Sequence, residues 1–233
     1  MIRFLRHIVV TAPLLVGGFA PAHAADDSLA QALGKLAPHA NVQVIELALA
    51  ATECAAAQGQ APADRLAVID YSLPSTEPRL WVFDLVSRKL LFHELVAHGR
   101  NTGENFARRF SNQAGSLESS LGLFRTSGTY VGHNGYSLRM DGLEPGVNDH
   151  ARERALVIHG ASYVSTAAAS GQGRIGRSWG CPAVRNAVAR PLIDALKSGQ
   201  YVFSFYPDPN WLNTSPYLKC RTARAVVGAV APP

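Results

Sequence analysis

From Leu66 to Tyr206 the chain repeats one texture, short apolar runs ended by Gly, Pro, Ser or Asn, and this limits the fold more than any other feature. The runs Leu66–Tyr71, Arg79–Leu85, Leu90–His98, Gly122–Thr126, Ser137–Met140, Ala155–His159 and Tyr201–Tyr206 read as strands. Leu73-Pro74-Ser75 and Ser87-Arg88-Lys89 are the first turns between them. Gly-rich turns between short strands favour a closed or two-sheet β core over a parallel α/β fold. The expected class is mainly β with α segments.

Helical character comes before this region. Ser28 to Ala57 is predicted helical with a break near Pro38. Asn41 caps the second helix, along which Val44, Leu47, Ala48, Ala51 and Cys54-Ala55 recur at three- and four-residue spacing. Arg185 to Lys197 is the other expected helix, stopped by Gly199. No internal repeat is visible, and Arg221 to Pro233 reads as a loose tail. The expected division is an N-terminal helical segment over residues 25–62, a strand-rich domain over 63–210 and a tail over 211–233.

Residues 1–24 form the pattern of a cleaved secretory signal. Arg3 and Arg6 supply the positive region, Ile8 to Phe19 the apolar region, and Ala22-His23-Ala24 the small-residue cleavage site. Pro13, Gly17 and Gly18 interrupt the apolar run, which is too short to span a bilayer comfortably, so no stable membrane insertion is expected. Export to the periplasm is the implied destination. Loss of this segment lowers the net charge from +5 to +3, with no Lys/Arg run, which argues against nucleic-acid binding. A mild basic surplus suits an anionic polymer such as a cell wall, and a bland solvated surface equally.

Three cysteines in an exported chain leave one over. Pairing Cys54 with Cys220 ties the two ends together and spares Cys181. The competing reading is two buried unpaired thiols. Cys-x-x-Cys and His-x-x-His spacings are missing, so no metal or other cofactor is expected.

Cys181 stands in Arg177-Ser178-Trp179-Gly180-Cys181-Pro182, and the apolar run that ends in His159-Gly160 lies upstream. A thiol reacts as thiolate, and an imidazole is the usual means of generating it at neutral pH. His159 is the leading base, and a backbone carbonyl such as that of Gly160 would serve to orient it. His98-Gly99 is a second strand-terminal His-Gly and the rival base. His133 lies on an Asn-Gly turn, while His93 and His150 have no defensible partner. Gly180 permits a tight turn, so that amides of Trp179, Gly180 and Cys181 could form an oxyanion hole, to which Pro182 contributes no donor. Ser178 is either a ligand to base or substrate, or a turn hydroxyl. Trp179 is either a cleft wall or core. Arg174, Arg177 and Arg185 surround Cys181 in sequence and would hold a carboxylate or lower the thiol pKa.

These residues resemble the L,D-transpeptidases that act on bacterial peptidoglycan, whose hallmark is a His followed, after a loop, by Ser/Thr-x-Gly-Cys. Here that is His159 followed by Ser178-Trp179-Gly180-Cys181. The chain is most similar to the murein L,D-transpeptidase catalytic domain branch over Gly122-Leu123-Phe124, Tyr136-Ser137-Leu138, Asp141-Gly142-Leu143, Asn148 to Tyr163 and Gly176 to Ala183. It departs at Trp179, where many members have a second His, and at Ala183, where they have Arg or Asn.

The resemblance implies a β-sandwich with Cys181 as nucleophile, His159 as base and the Gly160 carbonyl as its orienter. Tyr163 and His98 join Arg174, Arg177, Ser178, Trp179 and Gly180 on the substrate side. The implied partners are peptidoglycan stem peptides. The implied reaction is acyl transfer from a stem tetrapeptide with release of D-Ala. Hydrolysis by the same residues is the alternative, an inactive wall-binding module comes third, and a metal-dependent hydrolase built on His93, His98, His133 or His159 comes last.

Overall fold

A computed structural model of the chain describes residues 28–220. The signal-like segment and the Arg221–Pro233 tail lie outside the described residues. None of the described helices is long and apolar enough to cross a membrane.

Two helices come first, α1 (Leu29–Leu36) and α2 (Val42–Ala57). The Ser28 hydroxyl accepts from the Gln31 amide at 3.2 Å, and the Asn41 side chain accepts from the Gln43 amide at 2.9 Å. These caps satisfy amides that the first turns leave free. Leu47, Ala48, Ala51 and Ala55 of α2 are completely buried, and their small side chains let this helix lie close on the sheet.

Eight strands follow: β1 (Arg65–Asp70), β2 (Leu80–Asp84), β3 (Lys89–Glu94), β4 (Gly122–Gly132), β5 (Gly135–Gly142), β6 (Val157–Ala161), β7 (Ala183–Arg185) and β8 (Tyr201–Phe205). Interspersed are α3 (Thr166–Gln172), α4 (Asn186–Leu196) and α5 (Pro209–Thr214). The strands make one sheet in the order β3-β2-β1-β8-β4-β5-β6-β7. Only β1–β8 and β6–β7 are parallel pairs. Beyond β3 the Ala97 amide donates to the Ala183 carbonyl of β7 at 2.8 Å, so the two ends of the sheet meet and it curls nearly into a barrel. The fold is mainly β with a helical N-terminal segment, and the layers of the sandwich are parts of this one curling sheet.

Every residue of β8 is buried, so this central strand is covered on both faces. The α2 helix packs against β1, β4 and β8, and α4 against β1, β5, β6 and β7. The N-terminal helices therefore rest on the sheet at a distance from β6 and β7, which carry the candidate site. Trp81 Nε1 donates to the Pro38 carbonyl at 3.1 Å and fixes the α1–α2 turn to β2. Cys54 of α2 and Cys220 form a disulfide, with Cα atoms 6.0 Å apart across a sequence separation of 166.

The structure departs from several sequence expectations. The run Leu90–His98 is a strand only to Glu94, because its continuation leaves β2 to reach β7. Gly122–Thr126 extends through a register shift to Gly132 and makes a long hairpin with β5. The short helices α3 and α5 stand where no helix was expected. Ser165 and Asp208 cap them, accepting from Ala168 and Trp211 amides.

Candidate active site

The geometry of the site starts from strand register. His159 of β6 lies level with Ala183 of β7 in a parallel pair. Cys181 stands two residues before β7, outside the strand, and its sulfur lies at the Ala155 carbonyl and the Val157 amide, the latter two residues from His159 on β6. Adjacent parallel strands bring residues together that are distant in sequence, and here they bring the segment that carries the thiol to the strand that carries the imidazole.

His159 is buried, and its Nδ1 lies 2.9 Å from the Gly160 carbonyl oxygen. A carbonyl only accepts, so Nδ1 carries the proton and Nε2 keeps a free lone pair. Burial lowers the His159 pKa, with the Gly160 hydrogen bond opposing the shift, so the ring is neutral at pH 7. Gly160 has a second use. A Cβ there would lie 2.7 Å from Asn186 Oδ1 and 2.9 Å from Ala189 Cβ, so glycine lets α4 close on β6.

Cys181 is the free cysteine among the described residues and is partly exposed. Its sulfur lies 3.7 Å from the Ala155 carbonyl, and among the described residues no hydrogen bond joins it to His159. Burial pushes the thiol up from its usual range, while the Val157 amide and then the Arg154 guanidinium pull it down. Ala155 itself has φ +53°, the αL residue that ends the turn before β6. The Ala155 amide donates to Arg152 and the Leu156 amide to Ala151, the two bonds of a Schellman turn.

The turn before Cys181 is self-contained. The Ser178 hydroxyl donates to the Cys181 carbonyl at 2.6 Å and accepts from the Gly180 amide at 3.1 Å. Ser178 is thus a turn hydroxyl, and the Gly180 amide is already engaged. Gly180 has φ +121°, and a Cβ there would lie 2.8 Å from the Glu118 carbonyl oxygen. Gly99 packs against the same turn, since its Cβ would meet the Gly180 Cα at 3.0 Å. Trp179 is 75% exposed, which excludes it from the core and leaves it at the rim beside Cys181.

Comparison with known proteins now bears on these residues. The description "L,D-transpeptidase catalytic domain" matches residues 36–205. The chain belongs to this family.

Among solved structures, the L,D-transpeptidase from Mycobacterium smegmatis is similar at 11% identity and TM-score 0.40, over 62% of this chain and 59% of that one. The helical cell shape determining protein Pgp2 of Campylobacter jejuni is similar at 11% identity and TM-score 0.41, over 72% of this chain and 53% of that one. The L,D-transpeptidase of Xylanimonas cellulosilytica is similar at 15% identity and TM-score 0.35, over 76% and 91%. The alignment thus spans about 59% of the mycobacterial protein's own length. No curated protein matches.

In this L,D-transpeptidase domain the other residues singled out from sequence hold the frame. His98 is fully buried, with Nδ1 accepting from Arg79 Nη2 at 2.6 Å and Nε2 donating to the Gly103 carbonyl at 3.2 Å. Burial, with the Arg79 charge second, lowers its pKa to about 4. Both ring nitrogens are engaged, so the rival base is a bolt between the core and the 99–104 loop. Arg174 and Arg177 share Glu104, at 2.9 and 2.7 Å, and Arg185 forms a bidentate pair with Glu94 at 2.8 and 2.7 Å. All three cations near Cys181 in sequence are therefore ion-paired, Arg174 and Arg177 through one shared carboxylate. Tyr163 packs on Gly176, whose amide donates to the Tyr163 carbonyl at 2.9 Å, and burial pushes its phenol up to about 12. His133 is exposed at the hairpin turn, and His93 stacks on Trp81 with ring centroids 5.2 Å apart. No group of three or more His, Cys, Asp or Glu capable of holding a metal occurs among the described residues.

Sequence reasoning missed Arg154 and Ser119. Arg154 Nη2 lies 3.5 Å from the Cβ position of Gly180, and its guanidinium donates to the Glu118 carbonyl (2.6 Å), Ser120 Oγ (2.6 Å), Ser116 Oγ (3.1 Å) and the Ser111 carbonyl. Ser119 accepts from the Gly99 amide and donates to the Gly180 carbonyl, both at 3.0 Å. Neither residue belongs to a local motif; both reach the site through the 111–120 loop.

Proposed function

We propose that this protein is a peptidoglycan-modifying cysteine acyltransferase, an L,D-transpeptidase with Cys181 as nucleophile. The observation that carries this reading is the His159 ring, fixed through Nδ1 by the Gly160 carbonyl and with Nε2 left over, on the strand whose Val157 amide meets the Cys181 sulfur. Nε2 takes the thiol proton as sulfur attacks the carbonyl of the third, diamino acid residue of a stem tetrapeptide. The oxyanion is met by main-chain amides of Trp179 and Cys181, since the Gly180 amide is engaged by Ser178. Collapse breaks the bond to D-Ala, whose amine takes the proton from His159, and leaves a thioester on Cys181. An acceptor amine then gives its proton to His159, attacks the thioester and regenerates the thiol.

A neutral thiol and neutral imidazole at rest suit this sequence of transfers, because the proton moves only as the substrate is attacked. The leader-like residues 1–24 support work outside the cytoplasmic membrane, in the periplasm, where the stem peptides are. The test is mass spectrometry of tetrapeptide muropeptides incubated with wild type and Cys181→Ala. Crosslinked or amine-exchanged products lost in the variant support transpeptidation, and tripeptide alone would mean that water resolves the thioester. An unchanged substrate in both would refute the reading for this donor.

A further inference from the structure

A cavity of about 240 Å³ opens between β4, β5 and the turn before β6, with a wall that includes Tyr130, Arg139, Arg152, Ala155 and Val157. Cys181 is one residue removed from it: Ala155 lines the cavity, and the Ala155 carbonyl oxygen lies 3.7 Å from the sulfur. Arg139 of β5 is level with Val157 of β6, whose amide meets the Cys181 sulfur. Arg139 thus stands one strand spacing, about 4.8 Å, from the residue whose amide meets the thiol.

The cations of this region differ in what they have left to give. Arg152 donates to both oxygens of Asp141 (2.5 and 2.6 Å) and to Ser127 Oγ (2.9 Å). The donors of Arg154 go to the 111–120 loop, and Arg174, Arg177 and Arg185 are paired with acids. Arg139 is different. It lies 4.2 Å over the Tyr130 ring and pairs with no carboxylate among the described residues. An aromatic face holds a guanidinium flat without using its N–H edges, which remain a fork for a planar anion.

We propose that this cavity is the subsite for a carboxylate-bearing part of the acyl-donor peptide, and that Arg139 binds that carboxylate. The proposal rests on the acyl-donor reading above and names what the donor must present. An extended peptide advances about 3.3 Å per residue, so the carboxylate belongs to a residue within two or three of the attacked carbonyl. Met140 and Leu156 complete the wall and accept the aliphatic stem of an acidic side chain.

The test uses the mature chain as wild type, Arg139→Gln and Arg139→Lys, with melting curves to verify folding. D-Ala release is measured with a tetrapeptide donor and with donors amidated at one side-chain carboxylate at a time. Arg139→Gln is expected to raise KM about 10- to 100-fold, the loss falling on KM rather than kcat, with partial recovery in Arg139→Lys. Amidation of the recognised carboxylate should cost the wild type the same factor and cost Arg139→Gln nothing more. An unchanged KM, or variant and amidation losses that multiply, would overturn the proposal.

A second measurement needs no turnover: the ratio of Cys181 labelling rates by anionic iodoacetate and neutral iodoacetamide. That ratio should fall severalfold in Arg139→Gln, and an unchanged ratio would overturn the proposal. If the wild type releases no D-Ala while the ratio falls, the acyl-donor reading fails and the anion subsite stands.

Discussion

Replacing Arg79 by Met tests how the frame behind the site is held. The Arg79 side chain is completely buried. It donates to the Val96 carbonyl through Nε and Nη2 (3.2 and 3.0 Å), to the Leu73 carbonyl (2.7 Å) and to His98 Nδ1 (2.6 Å). Methionine would leave three buried acceptors without donors, at about 1–3 kcal/mol each. Relief of burying a guanidinium offsets part of this. The expected net loss is about 3 kcal/mol, or a fall in Tm of about 6–12 °C.

His98 supplies a second readout. Its folded pKa of about 4 lies below the ordinary 6.5, so on acidification the unfolded chain binds a proton first. Stability is therefore full above pH 6.5 and is lost as pH falls towards 4, by about 3 kcal/mol in all. Without Arg79, one of the two main causes of the low value disappears, so the His98 pKa rises and the window narrows from its acid end. Urea unfolding at pH 7.5, 5.5 and 4.5 with the disulfide intact, together with NMR titration of His98, measures both effects. A variant within about 0.5 kcal/mol of wild type, or a His98 pKa that does not move, would refute the argument from orphaned acceptors and paired charge.

Three further predictions concern the site and the ends of the chain. Alkylation of Cys181 should be slow at pH 7 and still rising above pH 9, because burial raises the thiol pKa. A rate plateau reached between pH 5 and 7 would mean a preformed thiolate. Gly180→Ala should lose about 2 kcal/mol and most of the acyl-transfer activity, since the new Cβ would meet the Glu118 carbonyl at 2.8 Å with φ at +121°. Full activity and an unchanged melting curve would show that the turn yields freely. Replacing Cys54 and Cys220 by Ser should cost about 2–5 kcal/mol through loss of the cross-link, without altering the Cys181 labelling rate in the native state. A changed labelling rate would mean that the N-terminal helices reach the site.

Much of this architecture is written in local chemistry. Asn41 as a cap, the small-residue spacing of α2 and the Gly-bounded strands are visible in sequence because each depends on neighbours within a few residues. The long β4–β5 hairpin was only half visible, since the register shift after Thr126 breaks the alternation that marks a strand. His98 was a plausible base until its Arg79 partner was known, and that partner stands just before β2, across the β2–β3 hairpin. Ser178 likewise changes from candidate ligand to turn hydroxyl once its bonds to Gly180 and Cys181 are seen.

By itself the sequence determined the residue types of the site, the N-terminal helices with most of the strands, and the family to which they belong. Those follow from side-chain chemistry and short-range periodicity. The tertiary structure alone decided which imidazole keeps a free nitrogen, which arginines are neutralised and which remains available. Strand register and loop packing bring an acid to one cation and an aromatic ring to another across many residues of chain. No local pattern encodes such a pairing, because the partners come together only when hairpin register and loop packing are set.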